Sequence, residues 1–157
     1  MNVARLMKNN VETCYLNDSL ATAAAKMWEC DIGILPVLNP ERHVIGVITD
    51  RDICMATYIQ GKAPVEIPVA TAMSKAVFFT TPEATIREAQ ETMRAHKVRR
   101  LPVINTEGQL VGILSLDDIA REAEREVGHT PREVSSYEVM VTLAEVCEPR
   151  LVALPLL

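Results

Sequence analysis

Two short runs in this 157-residue chain have the residue types and spacing to hold a phosphate beside a diol. The first is Gly46-Val47-Ile48-Thr49-Asp50-Arg51-Asp52, and the second is Gly112-Ile113-Leu114-Ser115-Leu116-Asp117-Asp118. Each places a hydroxyl at the end of a β-rich stretch and a carboxylate three residues on. A hydroxyl at the start of a helix lies among unpaired backbone N–H groups, where the helix dipole favours an anion. The aspartate offers two acceptor oxygens close to the same point. A nucleotide's phosphate and ribose would suit this pair. The same spacing is also that of a capping box, in which hydroxyl and carboxylate close on their own helix end. The residues alone leave both readings open.

The elements that must position these runs occur twice. Shifted by 66 positions, the second half of the chain falls on the first without a gap from Val3 to Ile53. Leu35-Pro36-Val37 meets Leu101-Pro102-Val103, Gly46 meets Gly112, and Asp52-Ile53 meets Asp118-Ile119. A fixed internal period means one supersecondary unit used twice. Thr85-x-x-Glu88 caps a helix whose stripe is Ile86, Ala89 and Met93; Ser19 caps its counterpart, with Leu20, Ala23, Ala24 and Met27. The Leu-Pro-Val stretches and the apolar runs at Val44 and Leu110 predict a hairpin, and a second helix follows. In the second copy that helix spans about 116–127 and stops at Gly128. Short strands are expected before the first helix, near Val11-Glu12-Thr13 and Val77-Phe78-Phe79. The unit therefore reads strand, helix, strand, strand, helix, an α+β (α/β) fold. The divisions are 1–60, a linker 61–68 with two prolines and a glycine, 69–127, and a tail 128–157. Within the tail, 135–146 suits a short helix, and Leu151 to Leu157 form an apolar end expected to dock on the body or on a partner.

Composition narrows the function. Apolar residues make up 48% of the chain, enough for a core and against disorder. A net charge of -5 speaks against nucleic acid as a partner. No apolar run is long enough to span a membrane, and no secretory h-region opens the chain, so the cytoplasm is the expected location. The four cysteines form no CxxC pair, so reduced thiols in apolar surroundings are expected and zinc ligation is not. His43, His96 and His129 lie in no catalytic arrangement, and there is no Walker loop or HExxH. No enzyme and no metal is expected. Asp50/Asp52 and Asp117/Asp118 point apart on a helix unless nucleotide phosphates complete a Mg²⁺ site.

The Met7 and Met73 openings, the Leu-Pro-Val strands, the Gly-h-h-[Thr/Ser]-x-x-Asp endings and the repeat length resemble two cystathionine β-synthase (CBS) domains in tandem, a Bateman module. The resemblance covers about 2–125. It implies two units packed through their sheets about a pseudo-twofold axis, a homodimer, and clefts for adenine-containing ligands such as AMP, ADP, ATP or S-adenosylmethionine. It implies that Asp52 and Asp118 hold ribose hydroxyls and that Thr49 and Ser115 meet phosphate. Residues flanking the base would be Val11, Ile34 and Pro36 in one cleft, and Val77, Arg100 and Pro102 in the other. Its members usually regulate another protein, so the expectation is a free-standing sensor.

The clefts are not expected to be equivalent. Copy two reads Arg94-Ala95-His96-Lys97-Val98-Arg99-Arg100 where copy one reads Trp28-Glu29-Cys30-Asp31-Ile32-Gly33-Ile34. Arginine forks suit phosphate, so Arg99 and Arg100 are candidates in copy two and Arg51 is the near cation in copy one. Phosphorylated ligands are expected to prefer the cleft of Ser115 and Asp118. The competing reading is a ligand-free interaction module acting on an unidentified partner.

Overall fold

The computed structural model describes residues 1–149. The apolar end from Leu151 to Leu157 lies outside them. Unit 1 consists of β1 (Cys14–Tyr15), α1 (Leu20–Glu29), β2 (Ile34–Leu38), β3 (Val44–Thr49) and α2 (Asp50–Gln60). Unit 2 consists of α3 (Ile86–His96), β4 (Arg100–Ile104), β5 (Leu110–Ser115) and α4 (Leu116–Arg125), followed by α5 (Ser136–Cys147). In unit 1, β1 runs parallel to β2, which pairs antiparallel with β3. In unit 2, β4 and β5 repeat that hairpin, and the first strand shrinks to one parallel bridge from Thr80 to Val103.

The first strands lie just beyond the expected stretches, at Cys14–Tyr15 rather than Val11–Thr13 and at Thr80 rather than Val77–Phe79. Cys14 is fully buried and its register opposite Val37 is what the core selects. In unit 2 the residue two places after Thr80 is Pro82, which has no N–H to extend the pairing. Helix α4 ends at Arg125, two residues before the expected Val127. Helix α5 matches expectation within a residue, with Ser135 Oγ accepting from the Glu138 N–H.

The two units exchange their leading segments. Val3 is buried in the core of unit 2 with Ile86, Leu101 and Leu114. Ile67 and Val69, the aligned region, are buried in the core of unit 1 with Leu20, Leu35 and Ile48. The backbone of Lys8 bonds Ile113, and Ser74 bonds Val47 in the same way. Each contact is the 66-position image of the other. His43 and Gln109, which are themselves images, form a bridge between the two hairpin turns. A contact between self-equivalent residues marks a pseudo-twofold axis. The exchange also explains the glycines. A Cβ on Gly46 would stand 2.7 Å from Met73 Sδ and 2.9 Å from the Ser74 carbonyl oxygen. A Cβ on Gly112 would stand 2.8 Å from Met7 Sδ and 3.1 Å from the Lys8 carbonyl oxygen. Only a bare Cα lets the visiting strand lie this close.

Candidate ligand clefts

Both hydroxyl–carboxylate pairs sit where a strand turns into a helix, and both close as capping boxes. In unit 1, Thr49 Oγ1 accepts from the Asp52 N–H at 3.2 Å. Asp52 Oδ2 accepts from the Thr49 N–H at 2.9 Å and from its hydroxyl at 2.7 Å. In unit 2, Ser115 Oγ accepts from the Asp118 N–H at 3.1 Å, and Asp118 Oδ2 accepts from the Ser115 N–H at 3.2 Å and from the Ser115 hydroxyl. The box uses one carboxylate oxygen and leaves Oδ1 over. What faces that second oxygen differs between the units.

Asp52 takes part in no ion pair among the described residues. Asp118 Oδ1 is clasped by Lys8 Nζ at 3.4 Å and by Arg121 Nη2 at 3.2 Å. The carboxylate is nearly buried, with 11% of the side chain exposed, while both cations are largely in solvent. Lys8 arrives on the exchanged segment, so the cleft of unit 2 is built from both ends of the repeat. Lys8 is absent from any motif, and only the exchange reveals it. Arg121 lies three residues after Asp118, a spacing that puts both on one helix face.

Strand register brings other candidate residues to the pairs. Ile34 is directly opposite Thr49, and Arg100 is directly opposite Ser115. Such partners have Cβ atoms about 4.5–5.5 Å apart. Pro36 and Pro102 are buried two pairs further along their strands. Val11 and Val77 are half-buried on the segments leading into the first strands. Arg51 is exposed on the first turn of α2.

The basic run of copy two has a role that its composition does not reveal. Arg94 Nη1 donates to Thr142 Oγ1 at 3.0 Å, Lys97 pairs with Glu148 at 2.9 Å, and Arg99 Nη2 approaches Cys147 Sγ at 3.3 Å. These three hold α5. Arg100 instead pairs with Asp117 at 3.6 Å. The Lys97 hydrogen bond, and then its charge, hold the Glu148 carboxyl below the usual carboxylate value.

The cysteines divide. Cys14 is fully buried, and burial followed by the Asp18 charge pushes its thiol up to about 11. Cys30, Cys54 and Cys147 are exposed, contrary to the expectation of partly buried thiols: Cys54 and Cys147 fall on outward positions of α2 and α5, and Cys30 caps the end of α1. Two histidines have structural partners. His96 stacks on Phe78 with ring centroids 3.7 Å apart, and His43 Nε2 lies 3.0 Å from the Glu107 carbonyl oxygen. Among the described residues no three His, Cys, Asp or Glu side chains gather as a metal site, and no helix is long and apolar enough to cross a membrane.

Two exchanged β-α-β-β-α units with a hydroxyl–carboxylate pair at each strand-to-helix junction define a paired regulatory fold of the CBS type. A family model for the CBS domain matches residues 3–58 and 67–125, and the chain belongs to that family as a tandem pair. It is 32% identical over 154 residues to hypoxic response protein 1 of Mycobacterium tuberculosis, covering 98% of this chain and 99% of that one. It is 35% identical over 115 residues to the CBS domain-containing protein YhcV of Bacillus subtilis, covering 73% and 79%. The crystal structure of hypoxic response protein I, with two coordinated zinc ions, superposes with a TM-score of 0.70 at 34% identity, over 77% of this chain and 98% of that one. The CBS pair of protein MJ0100, in complex with 5-methylthioadenosine and S-adenosyl-L-methionine, shares the fold with a TM-score of 0.71 at 22% identity, over 80% of this chain and 98% of that one.

Proposed function

We propose that this CBS pair is a stand-alone, non-enzymatic sensor, dimeric and cytoplasmic, that binds an adenosine-containing ligand in the clefts beside Thr49–Asp52 and Ser115–Asp118. The carrying observation is the half-used carboxylate. Each capping box fixes the aspartate through Oδ2 and keeps Oδ1 out of the box at a helix mouth, where that of Asp118 meets Lys8 and Arg121. A carboxylate held in this way is preorganised for a ribose diol, and no side-chain entropy is lost when the ligand arrives. The apolar walls at Val11, Ile34 and Pro36, or at Val77 and Pro102, suit a purine face. That MJ0100 takes 5-methylthioadenosine and S-adenosyl-L-methionine supports the ligand class.

The units divide the ligand class between them. The cleft of Ser115 and Asp118 has Lys8, Arg121 and Arg100 nearby, and it takes the phosphorylated ligands AMP, ADP or ATP. Arg99 joins them only by leaving Cys147. The cleft of Thr49 and Asp52 has Arg51 close at hand, with no cation paired to its carboxylate among the described residues, and takes ligands with little or no phosphate. Ligand between the units shifts their relative packing, and a partner protein reads that shift.

A second reading is favoured by the closure of both boxes, which ties each hydroxyl and one oxygen of each carboxylate to its own helix end. It makes the chain a ligand-free interaction module. Thermal melting with millimolar AMP, ADP, ATP and S-adenosylmethionine separates the two. Binding to the folded state alone adds about 2.7 kcal/mol at a hundred times the dissociation constant, so a clear rise of the midpoint is expected. A flat response to all four leaves the interaction module standing.

A further inference from the structure

Helix α5 lies over the groove between α3 and α4, and two kinds of contact hold it there. Its middle is held from inside. Thr142 is fully buried and accepts from Gln90 at 3.2 Å and from Arg94 at 3.0 Å. Its end is held from outside. Lys97 reaches Glu148 at 2.9 Å, and Arg99 Nη2 donates to Cys147 Sγ at 3.3 Å, both contacts being exposed. The images of Gln90, Arg94, Lys97 and Arg99 in unit 1 are Ala24, Trp28, Asp31 and Gly33. Those four line a groove of about 760 Å³ between α1 and α2, with no helix over it among the described residues.

Arg99 also reaches the ligand cleft of unit 2. Its carbonyl oxygen accepts from the Leu116 N–H at 2.8 Å, and Leu116 opens α4 directly after the Ser115 cap. The next residue, Arg100, stands opposite Ser115 and pairs with Asp117 at 3.6 Å. One residue is thus tied by its backbone to the mouth of α4 and by its side chain to the end of α5. In unit 1 the corresponding carbonyl, that of Gly33, accepts from the Asp50 N–H at 3.3 Å, but glycine has no side chain to carry the link further. The side-chain tie of Arg99 is weak by its chemistry. A neutral thiol is a poor acceptor. A phosphate oxygen gives a guanidinium a charge-assisted and often two-pronged bond. A phosphate at the mouth of α4 is therefore the better partner for Arg99, and the exposed guanidinium has no buried contact to give up.

We propose that Arg99 couples the cleft of unit 2 to α5. A phosphorylated adenosine ligand beside Ser115 and Asp118 draws Arg99 off Cys147, and the last turn of α5 loosens while Thr142 keeps the rest of the helix in place. The proposal rests on the ligand reading above and adds to it the element through which occupancy leaves the cleft. The coupling is reciprocal. A stronger hold of residue 147 on Arg99 weakens the nucleotide, and loss of that hold tightens it. A ligand without phosphate has no grip on Arg99 and leaves α5 as it is. With Gly33 in place of the arginine, the cleft of unit 1 has no such route to a further helix.

Amide exchange across α5 and calorimetric titration, run on the full chain with AMP and with adenosine, test it together. AMP is expected to speed exchange from Ala144 to Cys147 by about fivefold or more and to leave Ser136 to Thr142 unchanged. Adenosine is expected to speed neither. Cys147→Asp offers Arg99 a carboxylate and is expected to weaken AMP by about fivefold or more, whereas Cys147→Ala tightens it. Adenosine affinity is expected to stay the same in both, which separates the coupling from a general disturbance of α5. Arg99→Gln is expected to show fast exchange at the end of α5 without ligand and no further response to AMP. AMP bound with unchanged exchange in α5, or bound equally by the wild-type chain and Cys147→Asp, overturns the coupling and leaves the ligand reading standing. An equal response of α5 to AMP and adenosine overturns it in the same way. No heat with AMP overturns the coupling and the phosphate preference of that cleft together.

Discussion

Unit 1 and unit 2 share a backbone plan and the same helix-capping chemistry, yet they use the surplus of that chemistry differently. Among the described residues the spare oxygen of Asp52 has no ion-pair partner, whereas that of Asp118 is held between Lys8 and Arg121. Among the described residues the helix groove of unit 1 is open, whereas that of unit 2 is filled by α5. Duplication fixed what both units need to fold, namely the hairpin, the caps and the glycine under each visiting strand. Divergence acted on positions that folding leaves free. The comparison teaches that the shared positions carry the fold and its capping chemistry, while the unshared ones set the surroundings of the two units apart.

The largest effect is expected from breaking the exchange that makes the two units one body. Ile67 lies in what reads as a linker, yet it is fully buried in unit 1. Ile67→Ala should cost about 2–5 kcal/mol, as measured by chemical denaturation. A cost under about 1 kcal/mol would mean that the segment is not part of that core. Next, Gly46→Ala and Gly112→Ala should each cost about 1–3 kcal/mol through overpacking. The two should be nearly equal, since a methionine sulfur and a carbonyl crowd both sites. A large difference would break the equivalence of the two crossings.

Thr142→Val sharpens the contrast, because it has no counterpart in unit 1. Thr142 is buried and accepts from both Gln90 and Arg94. Leaving those donors unmet should cost about 1–3 kcal/mol and release α5, seen as faster amide exchange from Ser136 to Cys147. The smallest effect comes from acid. The carboxyl of Glu148 is held below its ordinary 4.5 chiefly by the Lys97 hydrogen bond. A depressed carboxylate contributes stability above its unfolded value and loses it as pH falls through the folded value. Exchange at the end of α5 should therefore rise below pH 4.5, and Glu148→Gln should show that faster exchange already at neutral pH.

Much of this was legible in the residues. The 66-position repeat, the hydroxyl–carboxylate caps and the helix over Ser136 to Cys147 all follow from local spacing. The exchange was not legible. Val3 and Ile67 are ordinary apolar residues, and nothing near them says which core they enter. For the same reason Lys8 was invisible as a partner of Asp118, while Gly46 and Gly112 stood out without showing that Met73 and Met7 are what they admit. The basic run from Arg94 to Arg100 read as a source of phosphate-binding arginines. Its contacts with α5 depend on a helix some fifty residues further on, and no periodicity reports such a partner. The exposure of Cys30, Cys54 and Cys147 against the burial of Cys14 likewise depends on packing that composition does not encode.

Calorimetric titration of AMP into the wild-type chain, Asp52→Asn and Asp118→Asn tests the division of labour between the clefts most directly. The account predicts that Asp118→Asn weakens AMP at least tenfold and that Asp52→Asn leaves it within about twofold. Full AMP affinity in Asp118→Asn together with its loss in Asp52→Asn, or no binding heat from the wild-type chain with any adenosine ligand, would contradict it.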